Sequence, residues 1–537
     1  MVEIQASTLP GMKMSRLPTG FSLQDNLENL SNGEKQMTIM AKPLSGASPT
    51  EAEIWKATPW PKIEANVNRL QMRIAKAIRT GRRGKAKALQ RLLVNSYSAK
   101  LLAVRRVTQS SGHKTPGVDG IVWKTAIQKL QAVKALKKRG YQPLPLRRVS
   151  IPKQDSKKLR NLHIPAMADR AQQALYLQGL EPIAEMLADK NAYGFRPKRS
   201  AADAIEQCFK SLSRKCAAQW ILNGDIKACF DTIDQKWLLK NIHMDREILN
   251  KWLTAGYTEK EVFYQTETGV AQGSVASPTL LTLTMAGLEA TIKNATSKTD
   301  KVNVVTYADD FIVTGISKEI LVNKVKPAIE KFLKERGLEL SQEKTTITHI
   351  EEDGFDFLGF NVRKYNTKLL IKPQKERVNK FLANIYKLIK TSQPIKTEEL
   401  IATLNSRIIG WANYYRHVVA KETFARVDQK VYLALWKWIK RRHPNKNTSW
   451  RIKKYFCNNK LRQWIFFSKF KDTKGKEQII KLAKAADIKI RRHIKIKADA
   501  TPYDPKFKKY FDKRRYCRTR NYTNEVGNND VIELLGA

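Results

Sequence analysis

Ten residues constrain this chain more than any other stretch: Val304-Val305-Thr306-Tyr307-Ala308-Asp309-Asp310-Phe311-Ile312-Val313. Two apolar, β-rich runs flank a pair of acids, which predicts two strands meeting at a turn with carboxylates at its tip. Hairpin turns normally carry Asn-Gly or Asp-Gly, because those residues accept positive φ. Asp-Asp is a poor turn former and sets two like charges side by side, where they repel unless a cation accompanies them. Hard carboxylate oxygens suit magnesium. An isolated acidic pair in a surface turn is common and means little alone.

A second segment changes that judgement. Ile221-Leu222-Asn223-Gly224-Asp225-Ile226-Lys227-Ala228-Cys229-Phe230-Asp231 reads as an apolar strand ending on another acid, Asp225, with Phe230 five positions later. Two metal ions about 4 Å apart, bridged by carboxylates from two such strands, can activate a hydroxyl nucleophile and stabilise a leaving pyrophosphate. Phosphoryl transfer asks for positioning and charge neutralisation, and for little covalent chemistry from protein.

Charge narrows the partner. Lys and Arg number 99 against 50 Asp and Glu, a net +49 over 537 residues. A surplus that large attracts a polyanion. The cations are spread along the chain among aromatics instead of lining one amphipathic helix, which favours nucleic acid over a membrane surface. The five cysteines form no Cys-x-x-Cys pair and the seven histidines no His-x-x-x-His pair, so no zinc motif of the usual kinds is present. Reduced thiols are the default expectation. No apolar run is long enough to span a bilayer, and the first thirty residues lack the apolar core of a signal peptide.

Residues 1–50 are rich in Ser, Gly, Pro, Asn and Met without periodicity, and read as a mobile extension. Helical spacing runs from Ile63 to Leu93, with Ile63, Val67, Leu70, Ile74 and Ile78 on one face and basic residues on the rest. Short β-rich runs (Val149–Pro152, Gln219–Ile226, Val302–Ile316, Phe355–Val362) then alternate with helices. Ser200 before AADAIEQC, with Asp203 at the third position, and Ser277-Pro278 before LLTLTMAGLEATI mark two helix starts. From Pro373 onward the chain reads as helical, with stripes through Val378, Leu382 and Ile385, through Leu400, Leu404 and Ile408, and through Val427, Val431 and Leu435. Residues 436–520 carry 29 Lys/Arg against 6 Asp/Glu. Trp436, Trp438, Trp450, Tyr455, Trp464 and Phe466 lie among them, either as stacking surfaces for bases or as a small core beneath a basic surface.

With these boxes in this order, residues 55–520 resemble the group II intron-encoded reverse transcriptase–maturases of bacterial or organellar type. The Tyr307–Asp310 box resembles the family's catalytic hairpin and GDIKACFD its first carboxylate strand. The resemblance implies an α+β right-hand polymerase, with fingers, an antiparallel palm sheet and a helical thumb, followed by a basic DNA-binding region. It divides the chain into the extension at 1–50, fingers and palm at 51–372, a thumb/maturase domain at 373–445 and the basic region at 446–537. It implies an RNA-directed DNA polymerase that copies RNA into cDNA and binds its intron RNA to assist splicing and retrohoming.

In that family's terms, Asp225, Asp309 and Asp310 are the metal-binding triad for two Mg2+ ions, with Asp225 and Asp309 as the direct ligands. Lys344, in LSQEKTTI, is the general acid for pyrophosphate. Lys153 and Arg160, in IPKQDSKKLRNLHIP, grip the triphosphate: arginine supplies a planar fork, lysine a point charge. Phe230 resembles the steric gate, whose ring collides with a ribose 2′-hydroxyl. Gln272, in AQGSVASP, contacts the incoming nucleotide, and the glycine after it permits close backbone approach. Phe357, Leu358 and Gly359 resemble the primer grip. NAYGFRPKRSAADA and GWANYYRH match further blocks. The implied partners are intron RNA, an RNA template, a DNA primer or target, and dNTPs, with no membrane, in a bacterial cytoplasm or an organelle.

Many relatives end in an endonuclease domain with paired Cys-x-x-Cys motifs. No such motif surrounds Cys517, so the expectation is a chain without one, whose priming 3′ end comes from elsewhere. Three alternatives share the motifs: a splicing factor with an idle polymerase, a reverse transcriptase recruited to host defence, and an RNA-copying RNA polymerase, against which Phe230 argues.

Overall fold

The computed structural model describes residues 51–152, 159–459, 462–471 and 475–515. The extension at 1–50, Lys153 and Cys517 lie outside the described residues. The chain divides into two compact units, the smaller comprising residues up to Thr58 with Thr125–Ile127, the larger Pro59–Lys124 with Gln128 onward. In the smaller unit the helix Glu51–Lys56 is closed by the Thr58 hydroxyl, which donates to the Ile54 carbonyl at 2.8 Å. Everything below concerns the larger unit.

The basic amino-terminal stretch forms helices Trp60–Arg79 and Arg83–Asn95, with Ile63, Val67 and Ile74 buried as their spacing predicts. Both pack against Met167–Leu187. That helix is buried nearly all round, and most of its polar groups find partners. Gln71 donates to the Gln178 carbonyl at 2.8 Å, and the Gln178 amide donates to Ala99 O at 2.9 Å.

Fourteen strands among the described residues form four sheets. The fingers sheet holds β1 (Leu146–Pro152) and β2 (Leu159–Ile164), antiparallel, extended by β4 (Tyr257–Glu259) and β5 (Val262–Tyr264). The palm sheet is antiparallel throughout, in the order β6 (Asn303–Tyr307), β7 (Asp310–Gly315), β3 (Trp220–Gly224), β8 (Thr346–His349). Its strands lack polar alternation because both faces are covered. Ile221, Val305 and Ile312 enter the core shared with the thumb, whereas Leu222, Val304, Phe311 and Val313 enter the core shared with helices Ser277–Thr284 and Lys326–Lys334.

A third sheet, β9 (Phe355–Phe357), β10 (Phe360–Tyr365) and β11 (Lys368–Pro373), leads into thumb helices Lys375–Thr391, Thr397–Tyr415 and Lys421–Arg442. The three predicted stripes are their buried faces. Trp411 stacks on Phe381 with ring centroids 4.7 Å apart.

Two sequence expectations change here. The stretch LLTLTMAGLEATI is two helices, Ser277–Thr284 and Leu288–Asn294, separated by Gly287 at φ 95°. The carboxyl-terminal third is not helical throughout. After helix Thr448–Tyr455 come β12 (Phe456–Asn459), β13 (Arg462–Lys471) and β14 (Glu477–Lys481). Trp438, Tyr455, Phe456 and Phe466 are buried there and pack edge to face or stacked. Most of the tail's aromatics are thus the core beneath a basic surface, while Trp450 is half-buried and Trp464 remains exposed.

Residues beyond β14 return to the palm. Asp203, fully buried, accepts from His493 at 2.8 Å, from the Ile496 amide at 2.8 Å and from Arg514 at 2.9 Å, as well as from Ser200 at the helix start. His493 also lies 5.9 Å from His417, whose other face meets Phe360 at 5.2 Å. Burial and the neighbouring imidazole push His417 down to about 4 from 6.5. A base whose pKa falls on folding stabilises the fold above its unfolded value. That contribution, at most about 3 to 4 kcal/mol at 1.36 kcal/mol per unit, is lost as pH drops from 6.5 to 4. His417→Phe is expected to flatten this part of the stability profile, measured by chemical denaturation at pH 7.5 and pH 4.5. An unchanged difference between the two pH values would remove His417 as its source.

Candidate active site

The acidic hairpin forms as its sequence predicts, against local preference. Tyr307 pairs with Asp310, leaving Ala308 and Asp309 as a two-residue turn. Ala308 adopts φ 59°, a region that disfavours residues with a Cβ. Such a residue stores about 1–3 kcal/mol and persists only where its surroundings dictate it. Those surroundings are the Asn191–Gly194 segment, which runs beside β6. Tyr193 N donates to Thr306 O at 2.9 Å, and Thr306 N donates to Asn191 O at 3.1 Å. Gly194 lies so close that a Cβ there would sit 2.2 Å from the Ala308 nitrogen. The NAYG block therefore clamps the turn.

Register brings in the second acid. Gly224 pairs with Phe311, so the next residues along each strand, Asp225 and Asp310, come together. Gly224 has no room for a side chain, since a Cβ would fall 2.3 Å from the Phe311 ring. The Asp225 carbonyl accepts from Ser341 N at 2.9 Å, and its carboxylate accepts from the Lys344 ammonium at 2.5 Å. Burial first, then the charges of Asp309 and Asp225, raise Asp310 to about 7, and the Asp225 carboxylate lies within hydrogen-bond reach of it. Burial also raises Asp309, which Asp225 pushes further and which Lys344 and Arg160 oppose. The bond to Asp225 raises Lys344. The sequence-predicted Asp225, Asp309, Asp310 and Lys344 thus meet at one point, with Arg160 on β2 in electrostatic reach.

Crowded, partly desolvated carboxylates fit a hard divalent cation. Among the described residues, no group of three or more acidic, imidazole or thiol side chains is placed so as to hold a metal ion by itself.

The remaining predicted residues surround this point. Phe230 sits half-buried in the short helix Cys229–Thr232, edge-on to Phe195 at 6.4 Å, and its carbonyl accepts from Val270 N at 2.7 Å. Two residues further on, the Gln272 carbonyl accepts from His163 N on β2 at 2.7 Å, and Gly273 at φ 111° passes close to the His163 carbonyl. Main-chain bonds therefore tie the Phe230 helix, the Gln272 loop and the fingers sheet together. Phe357 ends β9, and Leu358 (φ 52°) and Gly359 (φ 80°) form a tight turn into β10. Asn223 on β3 donates to Asp356 O at 3.1 Å, joining this sheet to the palm.

Three supports escaped sequence reading. Gln173, buried on helix Met167–Leu187, accepts from Ser274 Oγ at 2.8 Å and Val275 N at 3.0 Å, fixing the glutamine loop from beneath. A single glutamine in a buried helix carries no sequence signal. Tyr414 and Tyr415 donate to the carbonyls of Leu358 and Gly359 at 2.8 and 3.2 Å. Their signal lay in the GWANYYRH block, without its purpose. Arg196, in GFRPKRS, forms a buried two-pronged pair with Glu185 at 2.6 and 3.2 Å and donates to the carbonyls of Asp189 and Ala192.

Comparison with known proteins agrees with this geometry. Profiles described as reverse transcriptase (RNA-dependent DNA polymerase), N-terminal domain of reverse transcriptase, and group II intron maturase-specific domain match residues 151–362, 55–136 and 378–456. Protein YkfC of Escherichia coli is 33% identical, with 50% of this chain and 82% of that protein covered. The group II intron-encoded protein LtrA of Lactococcus lactis is 26% identical, with 58% and 68% covered. An uncharacterized 91 kDa protein in the cob intron of Schizosaccharomyces pombe is 25% identical, with 60% and 50% covered. Among the described residues no helix is long and apolar enough to cross a membrane. A palm hairpin built against its own turn preference, a maturase helix seated on the neighbouring turn and three consecutive family matches lead to one assignment: the chain belongs to the group II intron reverse transcriptase–maturases, RNA-directed DNA polymerases with a role in intron splicing and retrohoming.

Proposed function

We propose that Asp225, Asp309 and Asp310 hold two Mg2+ ions and that the surrounding residues orient a DNA primer end and an incoming dNTP on an RNA template. The observation that carries this reading is the β3–β7 register, which sets Asp225 beside Asp310 at the mouth of the Asp309 turn. When bound, the ions supply activation of the primer 3′-hydroxyl and charge stabilisation of the pyrophosphate. Arg160, exposed on β2, reaches the triphosphate, joined in this reading by Lys153. The Lys344 side chain is 65% exposed, so it can swing from Asp225 to protonate the leaving group. Phe230 underlies the sugar, Gln272 meets the nucleotide, and the Phe357–Gly359 turn seats the primer.

The domain limits proposed are 51–372 for fingers and palm, 373–445 for thumb and maturase, and 446–537 for the basic DNA-binding region. The intron RNA is the further partner, in a bacterial cytoplasm or an organelle. Purified chain should extend a DNA primer on an RNA template with dNTPs, stop on chelation and resume with added Mg2+. Extension that survives chelation would refute the metal assignment. Phe230→Ala is expected to raise ribonucleotide use relative to dNTPs by about 10–100-fold, the scale of losing one steric contact worth about 1–3 kcal/mol. An unchanged ratio removes Phe230 from the gate.

A further inference from the structure

At the end of the palm sheet opposite the acids, a cleft of about 650 Å³ opens between two loops. It is lined by Lys210, Arg214, Lys293, Lys298 and Lys301, with hydroxyl and amide groups between them and no acidic side chain. β3 and β6 both begin near it, at Trp220 and Asn303, and both end at the catalytic point. Four residue steps of strand, about 3.3 Å each, set the two ends roughly 13 Å or more apart.

The five cations are not equivalent. Lys293 is paired with Glu289 at 2.5 Å, and Lys301 donates to the Cys216 carbonyl at 2.8 Å, tying the two loops together. Lys210, Arg214 and Lys298 are exposed and have no carboxylate within ion-pair distance among the described residues. A concave surface carrying one sign of charge focuses its field and raises the local concentration of counter-charge. Lysine and arginine beside Ser, Thr and Asn side chains are the groups that contact phosphate and sugar. A merely solvated basic face would be convex or salted with acids, as the exposed surface elsewhere is, for example where Lys251 pairs with Glu247.

We propose that this cleft binds the phosphate backbone of a folded RNA at a site separate from the template–primer channel. The proposal rests on reading the chain as an intron-RNA-binding protein and names the surface that does part of that work. Because the cleft lies at the far ends of the catalytic strands, the enzyme holds one RNA there while it copies another.

The test uses the full chain and the triple variant Lys210→Glu/Arg214→Glu/Lys298→Glu. Single-nucleotide extension is measured on a saturating short primer–template. In that complex, the affinity for a labelled folded transcript of its surrounding intron is measured at several salt concentrations. The expected result is extension within twofold of wild type, at least tenfold weaker binding of the transcript, and a log–log salt dependence shallower by about two to three, one step per lost phosphate contact. Unchanged affinity and salt dependence in the variant, or displacement of the transcript by primer–template in the wild type, overturns the cleft while leaving intron-RNA binding intact. A wild-type chain that binds no intron transcript overturns the underlying reading and the cleft with it. Vesicles containing phosphatidylserine provide the competing outcome. If the variant loses vesicle binding and keeps its RNA affinity, the cleft belongs to a membrane surface and the proposal fails.

Discussion

Asp309→Ala is expected to reduce nucleotide incorporation at least 10³-fold and to leave intron-RNA binding within a few-fold of wild type. The loss is large because electrostatic stabilisation of developing charge is usually the greatest catalytic contribution in phosphoryl transfer, and removing one positioned group typically costs 10²–10³ or more. Folding should survive. Asp309 occupies the second place of a two-residue turn whose strained neighbour is Ala308, and Gly194 and Thr306 fix that turn through the main chain. Removing one of three crowded carboxylates also relieves repulsion. Rapid-quench incorporation of one nucleotide and filter binding of RNA measure the two quantities. Incorporation at the wild-type rate would take Asp309 out of the chemistry, and parallel loss of RNA binding would mean that the variant had misfolded.

The largest stability effect should come from Arg196→Met. Its guanidinium is almost fully buried, paired with Glu185 and donating to two carbonyls at the start of the segment that clamps the acidic turn. Deleting it strands a buried carboxylate and takes a donor from two half-buried carbonyls, of which Asp189 O keeps the Ala192 amide. Breaking such a pair from one side costs about 3–5 kcal/mol, whereas exchanging both partners for apolar residues of similar volume is often neutral. Glu185→Leu/Arg196→Met should therefore recover much of what Arg196→Met loses. Because Asn191–Gly194 rests on the catalytic hairpin, the single variant should also lose polymerisation in proportion to local opening. Urea denaturation and hydrogen exchange of residues 189–196 are the measurements. A single variant within 1 kcal/mol of wild type would show that Glu185 finds other partners.

These expectations rest on parts of the molecule that were unequally readable from sequence. The acidic hairpin was legible because two carboxylates stood where turn chemistry asks for glycine, and a local preference violated at a predicted turn points to function. The thumb was legible through its stripes, since Val378, Leu404 and Val431 repeat at helical spacing and are buried. The strand pairing that brings Asp225 to Asp310 is a matter of register across more than eighty residues, which periodicity does not encode. Asp203 was legible as half of a helix start. Its second duty, receiving His493, Ile496 and Arg514 from about three hundred residues away, was not. The stretch around RQWIFFSKFK misled because its lysines and aromatics suit a solvated helix as readily as β13, until the Trp438 and Tyr455 rings provide a surface for Phe466. Gln173 carried no signal at all.

Two phenolic hydroxyls on one maturase helix hold the carbonyls of the Leu358–Gly359 turn, proposed above as the primer seat. On the proposed reading of that turn, a load borne by the helix passes through two short hydrogen bonds to the place where a primer end would rest, so one mechanical part serves both the grip and the seat.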